Sequence, residues 1–155
     1  MKSVVIPNNI KYIGHNAFRE CSSLVSIDIP DDTAFIRDYA FKGCASLISV
    51  AVPSKLQQID HQLHVFEDCI SLTAVSLPQG LTALGPNMFT GCSSLTDVSI
   101  PDSISAIPFE AFCYCSSLSS VDVPDTIIDI RWQAFRDCIS LSSIDISENV
   151  LSIGD

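Results

Sequence analysis

Cysteine is the residue type in this chain with the widest chemistry, because thiols form disulfides, bind metals and act as nucleophiles. Seven are present, and six of them recur at one repeated position: Cys21, Cys44, Cys69, Cys92, Cys115 and Cys138. A thiol that recurs with every structural unit predicts a ladder of small buried groups rather than a catalytic or disulfide-bonded set. The seventh, Cys113, aligns with polar side chains of the other units. It is predicted to be an exposed free thiol, with an intermolecular disulfide as the alternative.

A group of carboxylates and imidazoles raises the question of a metal site. It comprises Asp60, His61, His64, Glu67 and Asp68. The two histidines are three residues apart, so a helical turn would place both on one side. A zinc site, however, needs a third or fourth ligand held by further hydrogen bonds. This group lies at an irregular stretch between Ile59 and Phe66, which is two residues longer than in the other repeats. We predict a solvated loop that bulges from the convex side, with no metal and no other cofactor.

Serine is abundant, but its spacing does not indicate a nucleophile. Six serines stand immediately before a repeated leucine: Ser23, Ser46, Ser71, Ser94, Ser117 and Ser140. Such periodicity indicates hydroxyls that bond the backbone of a turn. The six glycines do not cluster as in a phosphate-binding loop, and no nucleophile elbow is present. The sequence therefore predicts no catalytic residue and a protein that is not an enzyme.

The cysteines and serines belong to a repeat, and the repeat determines where each of them lies. Successive cysteines are 23 residues apart, with one step of 25. Three further residue types keep the same spacing, at Leu24, Leu47, Leu72, Leu95, Leu118 and Leu141; Phe18, Phe41, Phe66, Phe89, Phe112 and Phe135; and Pro7, Pro30, Pro53, Pro78, Pro101 and Pro124. Four residue types agree on one register, which predicts a single solenoid over residues 1–155 with about 6.5 repeats of 23 residues.

Each repeat contains the elements of one coil of this solenoid. Leu24, Ile27 and Ile29 follow the L-x-x-L-x-L spacing of a short strand with one inward face. Pro30 ends the strand because proline cannot donate a ladder hydrogen bond. An extended return segment follows. An alanine–phenylalanine pair such as residues 111–112 is then predicted to lie in a short helical or 3-10 turn.

The combined pattern C-x-S-L-x-x-I-x-I-P-x-x-I-x-x-I-x-x-x-A-F resembles the BspA-type leucine-rich repeat over essentially the whole chain. The resemblance implies a leucine-rich-repeat solenoid of the α/β horseshoe type. Proteins of this class are known mainly as surface or secreted molecules of mucosal bacteria and parasitic protists, and several bind host matrix proteins or other cells. The resemblance therefore implies a non-catalytic protein-binding module in adhesion or host interaction. The alternatives are an intracellular scaffold and a structural spacer.

Composition restricts the partners. Eight basic against 18 acidic side chains give a formal charge of −10, which repels phosphate backbones and anionic membranes. No apolar run approaches the roughly 20 residues that span a bilayer. We therefore expect a protein partner, with neither nucleic acid nor membrane insertion. The N-terminus, MKSVVIPNNI, lacks a signal peptide. An extracellular location thus rests on the resemblance, and requires that the chain be part of a longer exported one.

Neither end of the chain has the polar cap that closes a solenoid. It begins within a strand at residues 3–6 and ends at Asp155, midway through a seventh repeat. Uncapped ends expose apolar surface and strand edges. The expectation is a fragment, or a protein whose ends are covered by partners, including end-to-end or edge-mediated self-association.

Two surfaces are candidates for a protein partner, and the first is the concave sheet. Its outward positions alternate with the core positions of the first strands and include Asp97 and Asp122. They are small, polar and mildly acidic, and they include no Trp, Tyr or Arg that would anchor an interface.

The second candidate is a flank of the solenoid, formed by the third residue before each repeated phenylalanine. This column places Phe109 and Trp132 beside each other on adjacent repeats. The same two repeats carry Tyr114, Arg131 and Arg136. Aromatic and arginine side chains often dominate protein interfaces. We predict the partner at this flank, against the alternative that the large rings fold down over the thin core.

Overall fold

The computed structural model describes residues 2–56 and 63–155, which form a solenoid of short parallel strands joined by turns. In chain order the strands are β1 (Ser3–Val5), β2 (Tyr12–Ile13), β3 (Ser26–Asp28), β4 (Phe35–Ile36), β5 (Ser49–Ala51), β6 (Ala74–Ser76), β7 (Asp97–Ser99), β8 (Ala106–Ile107), β9 (Ser120–Asp122), β10 (Asp129–Ile130) and β11 (Ser152–Ile153). We number the coils by their phenylalanine, from Phe18 in coil one to Phe135 in coil six. Among the described residues no helix is long and apolar enough to cross a membrane.

Two faces of the solenoid carry parallel strands. On the first face the order is β1–β3–β5–β6 and β7–β9, and on the second it is β2–β4 and β8–β10–β11. The register places Val4 opposite Ile27 and Val98 opposite Val121, one repeat apart. Because each pairing advances by one repeat, equivalent side chains stand in columns along the solenoid. The predicted solenoid and its register are confirmed.

The core consists of stacked columns, and the phenylalanine column is the largest. Successive rings lie 5.3 to 5.7 Å apart between centroids, and their planes are within 10° of parallel. The four inner rings, Phe41 to Phe112, are fully buried, whereas Phe18 and Phe135 are partly buried. The repeat pattern predicts that all six rings are buried, and this prediction is wrong for the outer two. Each of them has a phenylalanine neighbour on one side only.

The segment around each phenylalanine is a series of reverse turns, not the predicted helical or 3-10 turn. In coil four the amides of Asn87, Phe89 and Gly91 donate to carbonyls of coil five at 3.2, 2.9 and 2.8 Å. The intervening amides of Met88 and Thr90 donate three residues back, at 3.3 and 3.2 Å. Asn87 and Gly91 have left-handed φ angles of 57° and 74°. Alternate amides thus leave the coil and left-handed residues interrupt the segment, so a continuous helix cannot form.

Candidate functional site

The repeated cysteines are free thiols, and all except the partly exposed Cys21 are buried, as predicted. From coil two onward, each Sγ lies 3.1 to 3.3 Å from the carbonyl oxygen of the phenylalanine on the preceding coil. Burial raises the pKa of Cys44 and of Cys138 to about 11, and raises the pKa of Cys92 well above its ordinary value. The thiols therefore stay protonated and act as weak hydrogen-bond donors. Their role is structural.

The prediction that Cys113 is exposed is wrong. Its side chain is only 1% exposed. The equivalent residues on the flanking coils are Thr90 and Arg136, and a backbone hydrogen bond of 2.8 Å from Gly91 N to Cys113 O holds coils four and five together. Thr90 is buried as well, at 8% exposure, so the polar character of this column does not report exposure. Burial also raises the pKa of the Cys113 thiol.

The candidate metal group is a packed ionic cluster where the structure describes it. Asp60 and His61, like much of the predicted bulge, lie outside the described residues. Lys42 Nζ and His64 Nδ1 lie 2.6 and 2.8 Å from Glu67 Oε2. The ammonium group of Lys42 therefore lies where a metal ion would have to bind Glu67. The described part of the chain contains no group of three or more metal-ligating side chains. The expected solvated loop is wrong for His64 and Glu67, which are partly buried.

The concave face is built from small side chains, and its two candidate aspartates have hydrogen-bond partners within the chain. Its outward positions are exposed, as predicted. Asp97 accepts a hydrogen bond from Thr96 Oγ1 at 2.9 Å, and Asp122 accepts one from Ser99 Oγ at 3.0 Å. A partner that engaged these carboxylates would displace internal hydrogen bonds and would bury little apolar area.

The flank brings Phe109 and Trp132 onto adjacent coils, as predicted. The amide of Glu110 donates to the carbonyl of Trp132 at 3.1 Å, which ties the two segments together. Phe109 is 38% exposed and Trp132 50% exposed. The aromatic pairs among the described residues do not include these two rings. The two rings therefore do not stack on each other, and each is partly exposed to solvent.

A shallow groove of about 180 Å³ lies beside these rings. Its lining residues are Thr82, Ala83, Leu84, Pro86, Ser105, Ala106, Pro108 and Arg131. Small and apolar side chains on coils four and five form its floor, whereas Arg131 comes from coil six. The Arg131 guanidinium is held by Asp129, with Nε 2.9 Å from Oδ2. The groove can therefore take an apolar side chain without exposing it to an unpaired charge.

Tyr114 and Arg136 lie at the other end of the phenylalanine turn from Trp132. The guanidinium of Arg136 is 5.5 Å from the centre of the Tyr114 ring, and its Nη1 donates to Gln133 Oε1 at 3.1 Å. Its Nε donates to Asp137 Oδ2 at 3.2 Å. These contacts make a separate cation–π pair.

Comparison with protein families agrees with the geometry. The profile described as BspA type Leucine rich repeat region matches residues 1–89 and 62–155, in six copies. The chain belongs to the BspA-type leucine-rich repeat family. No curated protein sequence matches this leucine-rich repeat chain.

Several crystal structures share the solenoid. The T. pallidum leucine-rich repeat protein TpLRR is 31% identical with a TM-score of 0.87, and the match covers 98% of this chain and 72% of that one. A leucine-rich repeat protein from Eubacterium ventriosum ATCC 27560, 24% identical, shares the fold with a TM-score of 0.88 over 100% of this chain and 41% of that one. A leucine rich cell surface protein from Faecalibacterium prausnitzii A2-165 is 26% identical, with a TM-score of 0.70 over 94% and 48%. The chain thus spans less than half of the last two proteins.

Two further apolar side chains on the flank were missed by sequence reasoning. Leu151 and Ile128 are 83% and 45% exposed, and Leu151 N donates to Ile128 O at 2.8 Å. The equivalent positions of the other repeats hold Lys11, Ala34, Gln57, Thr82 and Ser105. A large aliphatic residue where the other repeats have polar residues or alanine is the signal that identifies them. We call this surface the aromatic flank, and it consists of Phe109, Ile128, Arg131, Trp132 and Leu151.

Proposed function

We propose that this leucine-rich repeat chain is a protein-binding module whose partner docks on the aromatic flank. The observation that carries the proposal is the exposure of Phe109 and Trp132 on adjacent coils, next to a groove lined mostly by small side chains, prolines and one leucine. Burying the exposed parts of two aromatic rings contributes on the order of a few kcal/mol to association. Aromatic side chains at the centre of a contact, with an arginine nearby, are the usual composition of binding hot spots.

The aromatic flank is favoured over the concave face by the chemistry of the two surfaces. On the concave face, Asp97 and Asp122 are already hydrogen-bonded by neighbouring hydroxyls. Unlike the concave face, the flank combines exposed rings, exposed aliphatic side chains and a recess. Displacing water from such apolar surface favours binding, whereas breaking internal hydrogen bonds opposes it.

The setting we propose is adhesion or host interaction at a cell surface. Two observations support this setting: the resemblance to the repeat class, and a similar structure that is described as a leucine rich cell surface protein. An intracellular scaffold is the alternative, and a spacer that binds nothing is a third.

The test measures binding of the purified chain to panels of matrix, cell-surface and cytosolic proteins on a biosensor. Trp132→Ala is expected to weaken a specific ligand about tenfold or more. The double change Asp97→Ala with Asp122→Ala is the matched control and is expected to change the affinity less than about twofold. Circular dichroism checks that each variant is folded.

The outcomes separate the alternatives. A ligand lost with the aspartate pair but kept by Trp132→Ala would place the site on the concave sheet and overturn the proposal. A Trp132-dependent ligand from the cytosolic panel alone would support the scaffold over adhesion. Absence of any Trp132-dependent ligand in all panels would overturn the proposal in favour of the spacer.

A further inference from the structure

We infer that the segment bound by the aromatic flank is basic, with lysine or arginine next to an apolar side chain that enters the groove. This inference rests on the proposed docking site and adds the chemistry of its occupant. Three features of the structure carry it: the distribution of charge along the solenoid, the neutralisation of nearby arginines, and the lining of the groove.

Charge is distributed unevenly along the solenoid. Residues 1–55 contain six basic and five acidic side chains, so this part is close to neutral. Residues 63–155 contain two basic and twelve acidic side chains, and this part carries the flank. The potential around the flank is therefore negative, and it attracts cationic segments and repels acidic ones.

The two arginines near the flank do not offset this potential at the surface. Arg131 Nε donates to Asp129 Oδ2 at 2.9 Å, and Arg136 Nε donates to Asp137 Oδ2 at 3.2 Å. Each guanidinium is paired with a carboxylate of its own coil. The carboxylate of Glu110, next to Phe109, is partly buried, accepts a hydrogen bond from Asn87 and makes no ion pair among the described residues.

Glu110 is the carboxylate best placed to contact a bound segment. It directly follows Phe109, and its amide is bonded to the carbonyl of Trp132 at 3.1 Å. The side chain of Asn87 donates to one of its oxygens, Oε2, at 2.5 Å. That bond holds the carboxylate in place and leaves lone pairs free to accept from a lysine or arginine.

The groove selects the apolar part of the same segment. Its lining contains one charged side chain, Arg131, which is paired with Asp129; the other residues are uncharged and are Thr82, Ala83, Leu84, Pro86, Ser105, Ala106 and Pro108. A charged side chain placed there would lose hydration without a partner. An aliphatic or small aromatic side chain of the bound segment fits the chemistry of the lining. Lysine or arginine residues next to it in that segment would then lie near Glu110.

The experiment selects a random peptide library on the immobilised chain at low salt, and repeats the selection on Trp132→Ala. Peptides that bind the first and not the second are expected to be enriched in lysine and arginine around an aliphatic or aromatic residue. For a selected peptide made by synthesis, calorimetry should show that its affinity for the chain falls as the salt concentration is raised from about 50 to about 200 mM.

Charge variants then locate the contact. Glu110→Gln keeps the acceptor for Asn87 and removes the charge, and it is expected to weaken the peptide about threefold. Asp102→Asn removes an exposed charge from the same coil and should leave the affinity unchanged within error. Equal effects of the two variants would show that only the overall negative potential matters, and would overturn the assignment of the contact to Glu110.

Failure of the inference is distinguishable from failure of the proposed function. Selected peptides that depend on Trp132 but are neutral or acidic would overturn the inference while leaving the docking site intact. A selection that yields no Trp132-dependent peptide would overturn both.

Discussion

The thiol of Cys92 donates to the carbonyl oxygen of Phe66 on the preceding coil, with 3.2 Å between Sγ and O. The same oxygen accepts the amide of Cys69 at 3.3 Å. The cysteine column is thus a set of second donors to buried carbonyls, which explains why this small buried position holds a polarisable donor. A methyl group of similar size would leave one lone pair of each carbonyl unpartnered.

We therefore expect Cys92→Ala to lower the free energy of unfolding by about 2 kcal/mol, from lost packing and the lost sulfur hydrogen bond. Cys113→Ala is the matched control, because Cys113 is equally buried but has no such bond. It should cost about 1 kcal/mol less. Urea denaturation of both variants measures the difference, and equal losses would show that the thiol bond contributes nothing.

Accessibility predicts which thiol reacts. Brief alkylation of the native chain should modify Cys21 first, because it is the one partly exposed cysteine. Cys113 and the remaining ladder should react only after unfolding, since a thiol needs access and ionisation to react. Mass spectrometry of the digested protein gives the positions. Rapid modification of Cys113 would show that its burial is wrong.

The phenylalanine column should show the difference between inner and outer coils. Phe89→Ala is expected to cost about 3–5 kcal/mol through transfer and cavity terms, because the ring is fully buried between two others. Phe18→Ala should cost at least about 1 kcal/mol less, since that ring is partly exposed. Denaturant unfolding tests both. A cost below about 1 kcal/mol for Phe89→Ala would contradict the stacked core.

Gly91 combines a left-handed backbone with a close neighbour. Its φ is +74°, and an added Cβ would lie 2.6 Å from Asp68 Oδ1. Gly91→Ala should therefore destabilise the chain by about 1–2 kcal/mol. Gly80→Ala is the control, because its Cβ would come no closer than 3.7 Å, to Ser54 O, and the effect should stay within about 0.5 kcal/mol. Thermal unfolding that ranks the two equally would argue against the close approach.

Asp32 links three coils, and its carboxyl should have a lowered pKa. It contacts Lys11 Nζ at 2.7 Å and also binds Lys55. Hydrogen bonds to these two lysines lower the pKa of its carboxyl from 3.8 to about 2. Because the folded pKa is depressed, the stabilisation is present above pH 3.8 and is lost as the pH falls through about 2. Carbon-detected NMR titration measures this pKa directly.

The variant Asp32→Asn provides the corresponding stability test. Between about pH 4 and pH 2, the free energy of unfolding of this variant should fall less steeply with decreasing pH than that of the wild type. At higher pH the pH dependence of the two should be the same. Increasing the salt concentration should weaken the wild-type effect, since the pair is exposed. An Asp32 pKa near its ordinary value would show that the two lysines do not hold it.

The sequence alone determined the solenoid, its register and the membership of each column. The physical reason is that a repeat protein makes its contacts between nearest neighbours, so a residue at one position of the repeat meets its equivalents on adjacent coils. Four residue types at one period were sufficient to align Phe89 with Phe66 and Phe112, and to place Trp132 beside Phe109. The polar face of the first strands also followed, because side chains alternate along a strand.

Only the tertiary structure decided the properties that depend on how neighbouring side chains pack and on hydrogen bonds between coils. Cys113 is buried because of what stands next to it, which its own column pattern does not reveal. The turn around Phe89 is not helical because alternate amides find acceptors on the next coil, a non-local choice that propensity does not record. The groove beside Trp132 likewise exists only where small side chains of two coils meet a large one from a third.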